Sequence, residues 1–169
     1  MADVIHGECV TLRPAGPEDR PRLLEIVREP GVARWWGSQA ELDDESPTFV
    51  IEVDGETAGA IQYWEEDEPD YRHAGIDVFL SAAFQDRGLG SDAVRALARH
   101  LFEVRGHHRI TIDPAAANAR AIRAYERVGF KPVGVLRQYE RGPDGTFHDG
   151  LLMDMLRGEL RESVPKRGK

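Results

Sequence analysis

Polar and apolar residues alternate in seven short stretches of the chain, a period of two that is typical of β-strands with one buried face. The stretches cover residues 8–13, 48–53, 57–64, 72–80, 109–112, 130–137 and 147–156. The dipeptide Asp54-Gly55 joins the second stretch to the third, which is a strong signal for a β-hairpin. In the stretch 72–80, Asp77 and Phe79 share the face opposite to Ile76 and Val78. Asp77 is therefore predicted to lie in the middle of a strand.

Apolar residues recur three or four positions apart in three further segments, the spacing that puts them on one face of a helix. The predicted helices run from Pro17 to the residues before Pro30, from 91 to 104, and from 119 to 128. Asn118 precedes the last helix as a cap for its first N–H groups, and Gly129 follows it where a left-handed residue is favoured. Residues 32–37 are predicted to form a short helix or a turn.

Strand and helix alternate in the middle of the chain, whereas hairpins dominate its two ends. This order predicts an α/β (α+β) fold, with a mixed, mainly antiparallel central sheet flanked by helices on both faces. A chain of 169 residues fits one domain. We assign residues 1–160 to that domain and residues 161–169 to a polar C-terminal tail.

Composition narrows the functional class. The sequence is 41% hydrophobic and 31% charged, and it contains no apolar run of membrane-spanning length and no secretory leader, so we expect a cytoplasmic protein without a membrane role. The net charge of −8 argues against a nucleic-acid partner and favours a cationic ligand. The single cysteine, Cys9, is expected to be buried and inert. No histidine cluster indicates a metal site.

Acidic residues are concentrated in two blocks, 41–45 and 65–70. Each block lies between apolar segments, where a solvated loop is the ordinary interpretation. The alternative is that the blocks form acidic walls around a cationic ligand, and the pattern leaves both interpretations open.

The segment Gln85-Asp86-Arg87-Gly88-Leu89-Gly90 joins an apolar strand to the helix that begins near Ser91. Two glycines separated by one residue let the backbone curl tightly at the positive end of a helix, where several N–H groups can bind a pyrophosphate. A simple glycine-containing turn is the alternative interpretation of this segment.

The combination of Gln85-x-x-Gly88-x-Gly90 with Asn118, Tyr125 and Gly129-Phe130 resembles the GNAT superfamily of acyl-CoA N-acyltransferases. The resemblance implies a GNAT-like fold and acetyl-CoA as the co-substrate, with no metal. It also implies the cofactor-binding residues, which are Val78, Phe79 and Leu80 beside pantetheine, Gln85, Asp86, Arg87, Gly88, Leu89, Gly90 and Ser91 around the pyrophosphate, and Asn118 and Tyr125 near the thioester. Tyr125 is the candidate acid for the departing sulfur, with a core aromatic as its alternative role.

Within the superfamily, the chain is most similar to aminoglycoside 6'-N-acetyltransferases. The similarity includes Trp35-Trp36, the element Gly75-Ile76-Asp77, and Asp113 before Pro114. It implies that Asp77 is the base for the attacking amine and that Asp113 binds substrate amines. Trp35 and Trp36 either wall the substrate pocket or fill the core. The segment between Trp36 and Thr48 is shorter than in typical aminoglycoside enzymes.

The expected activity is therefore transfer of an acetyl group from acetyl-CoA to a primary amine of a small cationic substrate, most similar to the 6'-amine of an aminoglycoside. The C-terminal strands also resemble acetyltransferases of ribosomal-protein N-termini, and a related branch acylates siderophore lysines. A module that binds acyl-CoA without catalysis is the non-enzymatic alternative. A monomer and a homodimer are both compatible with the sequence.

Overall fold

The computed structural model describes residues 3–36 and 45–162. Residues 41–44 of the acid block 41–45 and the part of the predicted tail beyond residue 162 lie outside the described residues. Most of the segment between Trp36 and Thr48 also lies outside them.

One sheet of eight strands organises the described residues, in the order β1-β2-β3-β4-β5-β6-β8-β7. The strands are β1 (Ile5–His6), β2 (Thr11–Pro14), β3 (Thr48–Val53), β4 (Glu56–Glu66), β5 (His73–Leu80), β6 (Arg109–Ile112), β7 (Lys131–Arg141) and β8 (Phe147–Leu156). The helices are α1 (Arg20–Val27), α2 (Pro30–Trp36), α3 (Leu89–Glu103) and α4 (Ala119–Val128). None of these helices is both long and apolar enough to cross a membrane.

The β3–β4 hairpin confirms its sequence prediction. Asp54 and Gly55 have φ values of 50° and 80°, so both turn residues are left-handed, as a two-residue hairpin of type I′ requires. Asparagine, aspartate and glycine tolerate this conformation best, which explains why the dipeptide identifies the turn.

Each face of the sheet carries its own apolar cluster. Buried residues of α3 and α4, such as Leu97 and Val128, pack against one face together with Ile51 and Ile76. Residues of α1 and α2, such as Ile26, pack against the other face together with Val50 and Phe79. Neighbouring residues of one strand, such as Val50 and Ile51, thus pack into clusters on opposite faces of the sheet. This confirms the predicted sheet with helices on both faces.

β5 and β6 form the parallel pair of this otherwise antiparallel sheet. Their ladder joins only Ala74 to Ile110 and Gly75 to Thr111. Beyond these pairs the strands diverge, while β5 stays paired with β4 along its whole length as far as Leu80. One edge of the second half of β5 is therefore left without a partner strand among the described residues.

Gly75 also has a packing role at this point. A Cβ atom at Gly75 would lie 2.2 Å from the indole of Trp64, its cross-strand partner on β4. The indole therefore lies over the glycine, and no larger residue fits there without displacing it.

The N-terminal strand differs from its prediction. Strand β2 begins at Thr11 rather than at residue 8, because the buried carboxylate of Asp92 accepts the backbone N–H groups of Glu8, Cys9 and Val10 at 2.9, 2.8 and 3.0 Å. These three donors bind the first turn of α3 instead of a neighbouring strand. The prediction that Cys9 is buried is wrong, since the turn leaves its side chain exposed.

Two further boundaries differ. Pro30 begins α2 rather than merely ending the preceding helix, which its fixed φ and missing N–H allow at a first helical position. β7 extends past the predicted residue 137 to Arg141, through an irregular pairing between Leu136 and Glu140.

We predict that Asp92→Asn lowers the free energy of unfolding by about 2–4 kcal/mol, because an amide offers one acceptor oxygen and turns N–H groups toward N–H groups. Urea denaturation monitored by circular dichroism measures the change. Glu103→Gln, at an exposed position on the same helix, is the matched control and should stay within about 0.5 kcal/mol of the parent. Equal effects of the two substitutions would contradict this role of Asp92.

Candidate active site

A cavity of about 480 Å³ lies where β5 and β6 diverge. Every site residue predicted from the sequence except Arg87 lines it: Trp35, Trp36, Asp77, Val78, Phe79, Leu80, Gln85, Asp86, Gly88, Leu89, Gly90, Ser91, Asp113, Asn118 and Tyr125. The fold thus brings together residues from five separate segments of the chain.

The loop 85–90 has the backbone that its glycines predicted. Gly88 is left-handed, with φ of 75°, and forms the N-cap of α3. The Gln85 side chain donates from Nε2 to the carbonyl oxygen of Leu80 at 3.0 Å, which closes the loop onto the end of β5. The first N–H groups of a helix have no acceptor within it, and here Leu89 and Gly90 line the cavity. These features fit the pyrophosphate of acetyl-CoA.

Arg87 is the one predicted site residue that does not line the cavity. Its side chain is not part of the cavity lining, and its guanidinium lies 5.6 Å from the ring centroid of Phe84. Another arginine, Arg120 in the first turn of α4, does line the cavity and was not identified from the sequence.

Asn118 caps α4 as predicted. Its side-chain oxygen accepts the backbone N–H of Ala121 at 3.3 Å. The oxygen is thereby committed to the helix, and the side-chain NH₂ is the group with which Asn118 can donate toward the cavity.

Tyr125 packs against the core and also lines the cavity. Its ring packs on the edge of Phe130, with centroids 6.3 Å apart, and it also lines the cavity. Burial raises the pKa of the Tyr125 hydroxyl well above its usual value, and the negative charges of Asp77 and Asp113 raise it further. The hydroxyl therefore keeps its proton at neutral pH and can donate a hydrogen bond.

Two residues of β7, Tyr139 and Glu140, were missed by the sequence analysis. The Tyr139 hydroxyl donates to Oδ2 of Asp113 at 2.6 Å, and Glu140 lines the cavity. The predicted strand stopped at residue 137, just before an irregularity in which Gln138 has a positive φ of 47° and its N–H binds Oδ1 of Asp149 at 2.8 Å. Such bulges redirect side chains, and no regular alternation in the sequence reveals them.

Asp77, Asp113 and Glu140 form a group of carboxylates that we call the acidic triad. Burial raises the pKa of Asp113, although its hydrogen bond from Tyr139 opposes the shift. Partial burial of the Glu140 carboxyl raises its pKa as well, and the charges of Asp113 and Asp77 add to that effect. An ammonium group entering the triad would relieve this repulsion, so the cavity favours a cation.

The acid block 65–70 makes no contribution to the cavity lining. Glu65 and Glu66 belong to β4 rather than to a loop, and Glu65 binds Arg105 at 2.6 Å and the buried His107 at 2.5 Å. The acidic wall around the cavity is therefore built from β5, β7 and the segment after β6, not from this block.

Both tryptophans line the cavity, and Trp36 also packs against the core. Trp36 packs edge to face on Phe79 at 4.7 Å, and the guanidinium of Arg34 lies over the ring of Trp35 at 4.5 Å. Glu29 ties this region to the end of β5, since its carboxylate accepts the N–H of Ala82 at 2.9 Å and its carbonyl accepts the N–H of Val32.

In the part of the chain that the structure describes, no three His, Cys, Asp or Glu side chains are grouped so that they could hold a metal ion.

Comparison with known proteins gives a consistent result. Residues 11–130 match the model of the acetyltransferase (GNAT) family. The aminoglycoside N(6')-acetyltransferase type 1 of Klebsiella pneumoniae is 32% identical, over 82% of this chain and 80% of the relative. The spermidine N(1)-acetyltransferase of Escherichia coli strain K12 is 26% identical, over 87% and 86% of the two chains.

Among solved structures, AAC(6')-Ib in complex with ribostamycin and coenzyme A superimposes with a TM-score of 0.74. The two chains are 27% identical, and the match covers 90% of this chain and 96% of the other.

We predict that Tyr139→Phe raises the pKa of Asp113 further, because the phenol stabilises the ionised carboxylate. A carboxyl with a raised pKa stays neutral to higher pH. When the pH is lowered, the ionised fraction of Asp113 that can bind an ammonium should therefore begin to fall at a higher pH in the variant than in the parent. Carbon-13 NMR titration of the labelled aspartates measures this directly. Tyr71→Phe, at an exposed position, should leave the titration unchanged, and an unmoved or lowered Asp113 midpoint in Tyr139→Phe would contradict the interaction.

Proposed function

Because the chain belongs to the GNAT acetyltransferase family, we propose that its acceptor substrate is an aminoglycoside, which it acetylates at the 6'-amine. The protein is an acetyl-CoA-dependent N-acetyltransferase, and the proposal concerns the acceptor and the residues that act on it. The single observation that carries the proposal is one cavity that combines the acidic triad and the Trp35-Trp36 pair with the loop 85–90, which we call the cofactor loop.

Acetyl-CoA supplies a thioester with an electrophilic carbonyl carbon. The loop 85–90 and the N-terminus of α3 hold its pyrophosphate, and the open edge of Val78, Phe79 and Leu80 lies along pantetheine. A backbone N–H of this edge stabilises the oxygen that becomes negative during acyl transfer.

The acceptor binds as a polycation. Asp113 and Glu140 attract its ammonium groups, while Trp35 and Trp36 provide apolar surface for its rings. A substrate with several amines brings more than one positive charge into this acidic cavity. The 32% identical relative named as an aminoglycoside N(6')-acetyltransferase supports this choice.

Asp77 prepares the nucleophile. An ammonium group must lose a proton before its nitrogen can attack the thioester, and Asp77 in the middle of β5 takes that proton directly or through water. Tyr125, which is kept protonated by its surroundings, then gives a proton to the departing thiolate.

A polyamine is the second candidate acceptor. It is favoured by the relative named spermidine N(1)-acetyltransferase and by the same acidic triad. A flexible chain has no rings to place on tryptophan, so substitution of the Trp pair separates the two candidates. Trp35→Ala should raise KM for an aminoglycoside much more than KM for spermidine.

We predict that purified protein releases CoA thiol with kanamycin or tobramycin, and that Asp77→Asn lowers kcat by about 10²–10⁴-fold. The dissociation constant for acetyl-CoA should be unchanged, because Asp77 acts on the acceptor. Thiol-release kinetics and isothermal calorimetry measure the two quantities. Asp70→Asn is the matched control at an exposed position.

The acceptor panel should also contain spermidine, N-terminal ribosomal peptides and a siderophore lysine precursor. Turnover with one of these and none with aminoglycosides would overturn the acceptor assignment and leave the enzyme class intact. Acetyl-CoA binding without turnover on any amine would favour a sensor instead. Gly88→Asp should abolish cofactor binding, because it puts a side chain and a negative charge at a left-handed position of the loop.

We further predict that Tyr125→Phe lowers kcat by about 10–100-fold and leaves KM for the acceptor unchanged, a smaller loss than in Asp77→Asn, since a thiolate is already a good leaving group. Steady-state kinetics with saturating acetyl-CoA tests this. An unchanged kcat would remove Tyr125 from the mechanism.

A further inference from the structure

The cofactor loop contains an acid where an anion is expected to bind. Asp86 has a left-handed backbone, with φ of 63°, and its side chain lines the cavity. A carboxylate at this position repels an incoming phosphate unless a cation neutralises it. The structure supplies one, because Nη1 of Arg120 lies 3.0 and 2.9 Å from the two carboxylate oxygens of Asp86.

The ion pair links the loop to the first turn of α4. The side chain of Asp86 is 69% exposed and that of Arg120 is 53% exposed, and exposed ion pairs of this kind are weak and easily exchanged. Only Nη1 of Arg120 contacts Asp86. A guanidinium carries five N–H groups in one plane, so its other nitrogens can donate to the oxygens of a second anion.

α4 presents a defined face to the cavity. Arg120, Ala121, Ala124 and Arg127 line it, whereas Arg123 does not. Two of these four residues are alanines, whose side chains are single methyl groups. The acidic triad and these arginines therefore give one cavity both anionic and cationic parts of its wall.

We propose that Arg120 binds a phosphate of acetyl-CoA and that Asp86 holds it in position until the cofactor enters. On binding, the phosphate takes the place of the carboxylate, and the Asp86 side chain turns to solvent. Asp86 thus lowers cofactor affinity slightly while it keeps the Arg120 side chain beside the loop.

Calorimetric titration of CoA, without an acceptor, tests the exchange. Arg120→Gln should weaken binding about tenfold or more, because it removes a charge-assisted contact to phosphate. Arg123→Gln removes the same charge one turn away on the face that does not line the cavity, and it should leave the affinity unchanged. Asp86→Asn, which tolerates the left-handed backbone, should tighten binding by up to about fivefold, the strength of an exposed ion pair.

The double variant Asp86→Asn with Arg120→Gln distinguishes an exchange from two independent effects. If Asp86 affects CoA affinity only through its ion pair with Arg120, then Asp86→Asn should not tighten CoA binding in the Arg120→Gln variant, beyond the general effect of one less negative charge. Dephospho-CoA identifies the phosphate concerned. A loss in Arg120→Gln for CoA but not for dephospho-CoA assigns the 3'-phosphate, and an equal loss for both ligands assigns the pyrophosphate.

Equal affinities of Arg120→Gln and Arg123→Gln would overturn the proposal, as would weaker binding in Asp86→Asn. Thermal unfolding of each variant shows whether an affinity change reflects lost structure. Arg120→Lys keeps the charge without the planar fork and should fall between the parent and Arg120→Gln. Since no acceptor is present, a negative result would leave the acceptor assignment untouched.

Discussion

The active site depends on where one ladder of hydrogen bonds ends. β5 and β6 pair at only two positions and then separate, so the second half of β5 keeps its partner β4 on one side and has no partner strand on the other side among the residues that the structure describes. Parallel strands need a crossover connection, and here that connection is α3, whose N-terminus lies at the end of β5. The separation creates the cavity, and the crossover places the cofactor loop beside it.

The cavity wall has cationic and anionic parts. The chain carries a net charge of −8, yet arginines of α4 line the cavity near the loop, and Asp77, Asp113 and Glu140 line it elsewhere. A polyanionic cofactor and a polycationic acceptor can thus enter the same space, each drawn to the opposite charge. Burial raises the pKa values of Asp113 and Glu140, and the charges of Asp113 and Asp77 raise that of Glu140 further, so a cation that enters the cavity stabilises the ionised carboxylates.

Local patterns in the sequence predicted much of this architecture. The β3–β4 hairpin, the cap of α4 and the left-handed Gly88 follow from residue types that few conformations accept. Contacts between residues far apart in the chain could not be predicted from residue types in this way. Three features depend on residues far apart in the chain. They are the start of β2 at Thr11, which follows the contacts of Asp92, the redirection of Tyr139 by its bulge, and the position of Arg120 rather than Arg87 on the cavity wall. No periodicity reports such contacts.

The contacts of Asp92 also bear on how the cofactor loop behaves before it is filled. Three N–H groups of the N-terminal turn are anchored on the first turn of α3, two residues after Gly90. The end of α3 that we propose to bind the pyrophosphate is thereby tied to a part of the chain that does not line the cavity. In the proposed mode of binding, a helix end that is already held in place loses less conformational entropy when the cofactor binds, so the N-terminal turn favours binding through preorganisation.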